Sequence, residues 1–396
     1  MSLHTDTAPS TAPPFRRLLV ANRGEIAIRV MRACRELGIS PIAVHSDVDA
    51  DALHVRAADH AELIGPAAAR ESYLSIAAVI DAARRSGAEA VHPGYGFLSE
   101  NAAFASAVED AGLVFVGPPP AALEALGNKL AARQSASAAG VPIVPGTTVA
   151  LEEDFASVVD LGFPVMLKAA AGGGGRGMRR VDAEADLPDA LAAARREAAA
   201  AFGDGTIYVE RLVSPARHVE VQLLGDRHGG LAVLGERDCS IQRRHQNLVE
   251  ESPSPGISEE TRDALLDSAR RVAGTVEFHN AATVEFLVDD EQRHYFLEMN
   301  TRLQVEHGVT ELVTGLDPWR GRSGWQLASR CRVRSSRLPE GATRSRSGCM
   351  RRTRTTTSGR RPGESPPGGC RPARASGSTP AWRRTPIFAP STTRCW

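Results

Sequence analysis

Lysine is nearly absent from this 396-residue chain: of 47 Lys and Arg residues, only Lys129 and Lys168 are lysine. Such a bias suggests a GC-rich genome, in which lysine codons drift to arginine wherever arginine serves. The two lysines that remain are candidates for positions needing a compact ammonium, as a phosphate site can. Long apolar runs are missing too. None approaches the ~20 residues that a membrane-spanning helix requires, so no membrane partner is expected. The opening MSLHTDTAPSTAPPF has neither a basic n-region nor an apolar core, and residues 1–15 read as a disordered leader, not a signal peptide. Six cysteines form no paired framework, so a reducing cytoplasm is the expected compartment. The sequence also lacks a CxxC pair, an HExxH motif and any Ser-His-Asp logic, which sets aside the chemistries those carry.

The first 317 residues contain no tryptophan; all four (Trp319, Trp325, Trp382 and Trp396) follow Asp317, as do four of the six cysteines. The zero net charge hides a split at the same place. Residues 318–396 carry 18 Arg against Glu340 and Glu364, a charge of +16, which leaves −16 on the rest. Arg, Ser, Thr, Pro and Gly dominate this tail, no hydrophobic period survives in it, and it is expected to be unstructured.

Before Asp317 the pattern is orderly. Leu18-Leu19-Val20-Ala21 reads as a strand that turns at Asn22-Arg23-Gly24 into a helix carrying Ile26, Val30, Ala33, Cys34 and Leu37 at helical spacing. A strand at 41–45, a helix at 75–85 and apolar runs at 90–92 and 113–116 follow. This alternation predicts an α/β unit with a parallel sheet covered on both faces. A second α/β unit starts with a helix at Ala121. Its expected strands are 164–168, 207–210, 218–224, 231–234, 283–288 and 294–300, with an amphipathic helix at 259–276.

Two segments there can carry chemistry. Gly172, Gly173, Gly174, Gly175 and Gly177 follow the Lys168 strand, and glycines let backbone N–H groups approach phosphate oxygens. No Gly-Lys-Ser/Thr ending is present, so this is not a Walker A loop. The second segment is a hairpin around Asp290-Glu291-Gln292-Arg293. If Glu285 faces Glu298 across it, Phe286 faces Leu297 on the core side. Two opposed carboxylates repel, and a divalent cation of the Mg²⁺ or Mn²⁺ type would relieve them. Glu298, Asn300, Arg302, Gln304 and Glu306 then alternate in one extended run and share a face, with Met299, Leu303 and Val305 opposite. By themselves, Glu236-Arg237-Asp238 and Gln242-Arg243-Arg244-His245 read as surface ion pairs, and His218 as an ordinary half-buried histidine.

The segments LLVANRGEIAIRVMRACRELGI, HPGYGFLSEN, FVGPPP, FPVMLKAAAGGGGRGMR, RHVEVQLLGD, GERDCSIQRRHQ and FLEMNTRLQVEH together resemble the biotin carboxylases, in family order and spacing over about 300 residues. The resemblance implies a Rossmann-like pre-ATP-grasp domain at 16–120 and an ATP-grasp domain at 121–317, with a mobile lid near 140–212. By matching position, it implies ATP contacts at Lys129, Lys168, the glycine run, Glu210, Val213, His218, Gln242, His245 and Leu287. It implies metal ligands at Glu285, Glu298 and Asn300, and bicarbonate contacts at Arg302, Gln304 and Val305. Glu306 matches the base that deprotonates bicarbonate, with Arg302 beside it. The implied reaction is attack of bicarbonate on the ATP γ-phosphate, giving carboxyphosphate, and then carboxylation of biotin. That biotin is carried by a partner protein, not by this chain; a carboxyltransferase and a homodimeric state belong to the same family pattern.

The sequence departs from the family at Asn247, where a bicarbonate-binding lysine is usual, at Asn128 in place of Asp, and at Gly308 in place of Pro. It departs entirely after Asp317, where the family continues with an arginine that stabilises the biotin enolate, in a motif resembling HAIEVRVYAED. Joining the third base of each codon to the first two of the next makes TRSRSGCMRRTRTTTS (343–358) compatible with HAIEVRVYAEDPDHDF at all 16 positions. A frameshift near Asp317 accounts for the charge, the tryptophans and the lost periodicity together. A nucleic-acid-binding arm accounts for none of that match. Two functions follow as expectations: a biotin carboxylase with impaired turnover, or a non-catalytic ATP-binding fragment.

Overall fold

The computed structural model describes residues 13, 15–149, 155–170, 178–243 and 246–317. The first 12 residues of the leader, the glycine run Gly172 to Gly177, Arg244, His245 and the tail from Pro318 lie outside the described residues.

The chain opens with β1 (Arg17–Val20), α1 (Gly24–Glu36), β2 (Ser40–Ser46), α2 (Leu53–Arg56), β3 (His60–Gly65), α3 (Ile76–Arg85), β4 (Ala90–His92), α4 (Ala102–Asp110) and β5 (Val114–Phe115). All four strand pairings are parallel, in the order β3-β2-β1-β4-β5. Apolar cores on both faces explain the near-continuous hydrophobic strands. Leu18 and Val20 pack with Ile26, Val30 and Cys34 of α1, whereas Leu19 and Val91 pack with Val79, Ala83 and Phe104. The strand order reverses between β1 and β4. At that point the buried Asn22 donates from Nδ2 to Pro93 O and Tyr95 O, both at 2.8 Å. Gly94 permits this closeness: its φ is +67°, and a Cβ would lie 2.7 Å from Asn22 Nδ2. His92, which ends β4, is buried.

Helices α5 (Pro120–Gly127) and α6 (Lys129–Ala138) lead into two antiparallel sheets. One is built from β6 (Gly146–Val149), β7 (Val165–Ala169), β8 (Arg179–Val181) and β9 (Ile207–Arg211), ordered β6-β9-β7-β8, with α7 (Ala156–Val159) and α8 (Leu187–Phe202) between its strands. The other comprises β10 (Ala216–Gly225), β11 (Leu231–Arg243), β12 (Gln246–Glu251), β13 (Asn280–Asp289) and β14 (His294–Asn300), ordered β12-β11-β10-β13-β14. Helices α9 (Glu259–Ala273) and α10 (His307–Thr314) complete the described part. Leu265, Ala269 and Val272 of α9 bury the inner face of this last sheet together with Val219, Val221, Val284, Phe286 and Phe296. No helix among the described residues is long and apolar enough to cross a membrane.

Two expectations change. Strand β11 runs to Arg243, well beyond the short apolar segment at 231–234, because its polar second half pairs with β10 as far as Asp238 and with β12 from Asp238 onward. Glu236, Arg237 and Asp238 are therefore buried, not surface ion pairs.

Candidate functional site

Sheet register builds the site. Arg237 of β11 pairs with Glu220 of β10, Glu220 with Glu285 of β13, and Glu285 with Glu298 of β14, so one row holds three adjacent carboxylates with a guanidinium at its end. The opposition of Glu285 and Glu298 is the expected one, but the expected partner of Phe286 is not. The register shifts after Glu285, so that Phe286 faces Phe296. This bulge keeps both rings in the core, 6.4 Å apart and nearly perpendicular, and turns Leu297 into a pocket beside the carboxylates.

Each carboxylate has been given a counter-charge. His218 Nε2 lies 2.8 Å from Glu285 Oε2, and Lys129 Nζ lies 3.2 Å from Glu298 Oε2. Burial lowers the affinity of His218 for its proton, but the Glu285 charge beside it prevails and the ring is pushed up to about 9. Gln242 Nε2 lies 2.8 Å from Nδ1 of the same ring. Burial raises the Glu285 carboxyl, whereas Lys129 and Lys168 outweigh burial and lower Glu298. Asn128 places Lys129 at the start of α6, since its Oδ1 accepts from the N–H groups of Leu130 and Ala131 at 3.0 Å. An asparagine caps here as an aspartate would.

Lys129, Lys168 and Glu210 line one pocket with Leu130, Arg133, Ala169, Ala170, Tyr208, Leu297 and Glu298. The two lysines reach it from different layers, Lys129 from α6 and Lys168 from β7. Lys168 is ion-paired with Glu210 of β9.

Beyond Asn300 the chain is not the extended run expected. Strand β14 ends there, residues 301–306 form a loop and a turn, and Glu306 sits at the N-cap of α10. The side chains converge all the same. Arg302 donates to Gln304 Oε1 at 2.6 Å, Asn300 Oδ1 at 3.2 Å and Glu100 Oε2 at 2.9 Å. Asn300 and Gln304 each donate to Glu285 Oε1. Met299 and Leu303 are buried as expected, but Val305 is 43% exposed because the turn carries it outward.

Glu306 makes no capping bond to its own helix. Instead its Oε1 accepts from Asn247 Nδ2 at 3.3 Å, and Asn247 Oδ1 accepts from Gln242 at 3.1 Å. A polar chain thus runs from Glu285 through His218, Gln242 and Asn247 to Glu306. Burial and the nearby Glu220 push the Glu306 carboxyl up to about 7, against the pull of Arg237 and Arg302. A carboxylate poised there is suited to take a proton near neutral pH. Behind it, Arg237 is fully buried and donates to Glu220 at 2.6 Å, Gln222 at 2.9 Å and Thr310 of α10 at 2.7 Å.

The structure brings together Lys129, Lys168, Glu210, His218, Gln242, Glu285, Glu298, Asn300, Arg302, Gln304 and Glu306. Leu287 pairs with His218 across the ladder, and Val213 lies just after β9; both are half-buried. Gly172, Gly173, Gly174, Gly175, Gly177 and His245 lie outside the described residues. Arg133 and Glu220 were not singled out from the sequence, and Arg237 was read there as part of a surface ion pair. Only the period-two partnering of β10 and β11 could have found the last two.

A doubly wound parallel domain followed by two antiparallel sheets that meet at a pocket of lysines and carboxylates is the ATP-grasp architecture. Residues 14–123 match the family described as Biotin carboxylase, N-terminal domain, and residues 128–319 match Carbamoyl-phosphate synthase L chain, ATP binding domain. Biotin carboxylase 1 of Bacillus subtilis (strain 168) is 51% identical over 307 residues, which are 76% of this chain and 68% of that protein. The crystal structure of a biotin carboxylase–β,γ-ATP complex from Campylobacter jejuni superposes with a TM-score of 0.77 at 46% identity, covering 80% of this chain and 72% of that one. The biotin carboxylase domain dimer of Hydrogenobacter thermophilus 2-oxoglutarate carboxylase, in complex with MgADP, ADP and bicarbonate, gives 0.76 at 43% identity, covering 80% and 71%. This chain belongs to the biotin carboxylase family.

Proposed function

We propose that the pocket binds Mg-ATP or Mn-ATP and that the chain uses it to activate bicarbonate for the carboxylation of biotin on a carrier protein. The observation that carries this reading is the convergence of the only two lysines, the opposed Glu285 and Glu298, and the Arg302–Gln304–Glu306 cluster on one end of one sheet. In this reading residues 16–120 are the pre-ATP-grasp domain, 121–317 the ATP-grasp domain, and 140–212 its lid.

The donor set fits a hard divalent cation. Two carboxylates and the Asn300 amide group lie together, and the carboxylates repel unless a positive charge stands between them. Asn300 turns Nδ2 toward Glu285 and Oδ1 toward Arg302, so its amide must rotate to offer oxygen. Glu285, Glu298 and Asn300 would hold such an ion, which would supply positive charge against the phosphates. Lys129 and Lys168 would hold the phosphates, and Arg302 with Gln304 would hold bicarbonate. Glu306 would take the bicarbonate proton as its oxygen attacks the γ-phosphorus, giving carboxyphosphate and ADP. Arg302 beside Glu306 makes proton removal from a bound anion less costly.

Asn247 supports a second reading in which turnover is slow or absent. At the position that faces Glu306 it offers a neutral amide, and a preorganised charge at a developing anion is typically worth ~2.7–4 kcal/mol. The frame-shifted reading of residues 343–358 points the same way. Phosphate release from Mg-ATP, measured with and without bicarbonate, separates the two. Bicarbonate-stimulated release, rising further with biotin, supports the enzyme; nucleotide binding without bicarbonate-stimulated release supports the non-catalytic fragment. A carrier protein, a carboxyltransferase and a second copy of the chain are the partners this reading implies.

A further inference from the structure

Arg133 is a buried cation that the proposed chemistry leaves unused. It projects from α6 with 6% of its surface exposed and lies over the Tyr208 ring, 4.8 Å from the centroid. Its Nη2 donates to Val144 O, and its Nη1 stands 3.4 Å from Glu210 Oε2. That contact is an ion pair, not a hydrogen bond, and Oε2 is buried without a hydrogen-bond partner among the described residues. The other oxygen of Glu210 is held by Lys168. Tyr208 fits beneath Arg133 because Gly146, which pairs with Glu210 on β6, has no side chain: a Cβ there would lie 2.0 Å from the Tyr208 hydroxyl.

Glu210 is only 3% exposed. The charged groups facing it are Lys168 on β7 and Arg133 on α6, with Lys129 and Glu298 across the pocket. Strand β6, its other neighbour, carries no titratable side chain. One side chain is therefore asked for twice. Lys168 neutralises Glu210 in the structure described here, yet a phosphate entering the pocket needs the same ammonium. A buried carboxylate that loses its cation is strongly destabilised.

We propose that Arg133 is a positioning residue of the nucleotide site, the standing counter-ion of Glu210 that lets Lys168 turn to phosphate. Arg133 suits the part because its planar guanidinium is stacked on a ring and anchored to a backbone carbonyl, so it holds its place when Lys168 moves. The inference rests on the nucleotide reading of the pocket, and its test keeps the two apart.

The test is isothermal titration of the full chain with Mg-ADP, at several pH values and in buffers of different ionisation enthalpy. Wild type should bind with little proton uptake. Arg133→Met should bind at least ~10-fold more weakly at pH 8 and recover as pH falls, taking up a proton because Glu210 must then be neutral for Lys168 to leave it. Arg133→Lys should restore most of the affinity, and Glu210→Gln in the Arg133→Met background should abolish the proton uptake. Circular dichroism of each variant checks folding. A folded Arg133→Met that binds as tightly as wild type, or more weakly but without proton uptake, overturns the inference. Absence of Mg-ADP binding by wild type overturns the nucleotide reading instead.

Discussion

Replacing Glu306 by Gln should make the protein more stable at pH 8, even though it removes the proposed base. The carboxyl is 8% exposed, next to Glu220, and is held at about 7 against an ordinary 4.5. A folded-state value above the unfolded one means that the folded protein binds this proton more tightly. The stability it contributes is fully present below pH 4.5, declines as pH rises from 4.5 to about 7, and is gone above that. A displacement of that size is worth about 3 kcal/mol between the two charge states. Glutamine carries no such titration and can still accept from Asn247. At pH 8 Glu306→Gln should therefore exceed wild type by about 3 kcal/mol, on the order of 5 °C in melting temperature, and the two should converge near pH 4. Parallel thermal melts followed by circular dichroism from pH 4 to 8 measure this, and the titrations of groups remote from Glu306 cancel in the comparison. A gap that does not vary with pH, or a wild type more stable than the variant at pH 8, would refute the reasoning. The result expected is the signature of a site that gives up stability for function.

Arg237→Leu should destabilise the chain by about 3–5 kcal/mol, because Glu220 becomes a buried carboxylate without a cation; adding Glu220→Leu should recover much of the loss in urea unfolding, and no recovery would contradict the pairing. Asn247→Lys puts a cation where Asn247 now meets Glu306, and it should raise bicarbonate-dependent phosphate release on the order of tenfold or more. An unchanged rate would show that charge at this position does not limit turnover.

Four strands of the parallel first sheet were legible because they carry apolar runs and the helices between them keep a clean 3.6-residue period; the edge strand β3 was not, because His60 and Glu62 break its apolar pattern. The opposed Glu285 and Glu298 were legible from a two-residue period across a short turn, and Lys168 from its rarity. The Leu297 bulge was not, because the choice between Leu297 and Phe296 opposite Phe286 is made by core packing, which no local pattern reports. Alternation of polar residues from Glu298 to Glu306 gave the correct cluster for the wrong reason: a loop and a helix N-terminus, not a strand, gather them. Val305 alternates with them as a buried residue should, yet the turn exposes it. Arg237 was read as a surface residue because a Glu-Arg-Asp triplet looks solvated until β10 pairs with it and sets Glu220 opposite. Arg133 escaped notice because it is one arginine among many, and its meaning comes from Tyr208 and Glu210, more than 70 residues away.

Lys168 and its neighbours are proposed to form a nucleotide site. Calorimetric titration of wild type and Lys168→Met with Mg-ATP tests it most directly. Lys168 lies at the pocket in ion-pair contact with Glu210, and methionine keeps its length while removing the one ammonium on that side of the pocket. Wild type should give a saturable binding heat and Lys168→Met none; equal affinity for both proteins would rule out this nucleotide site.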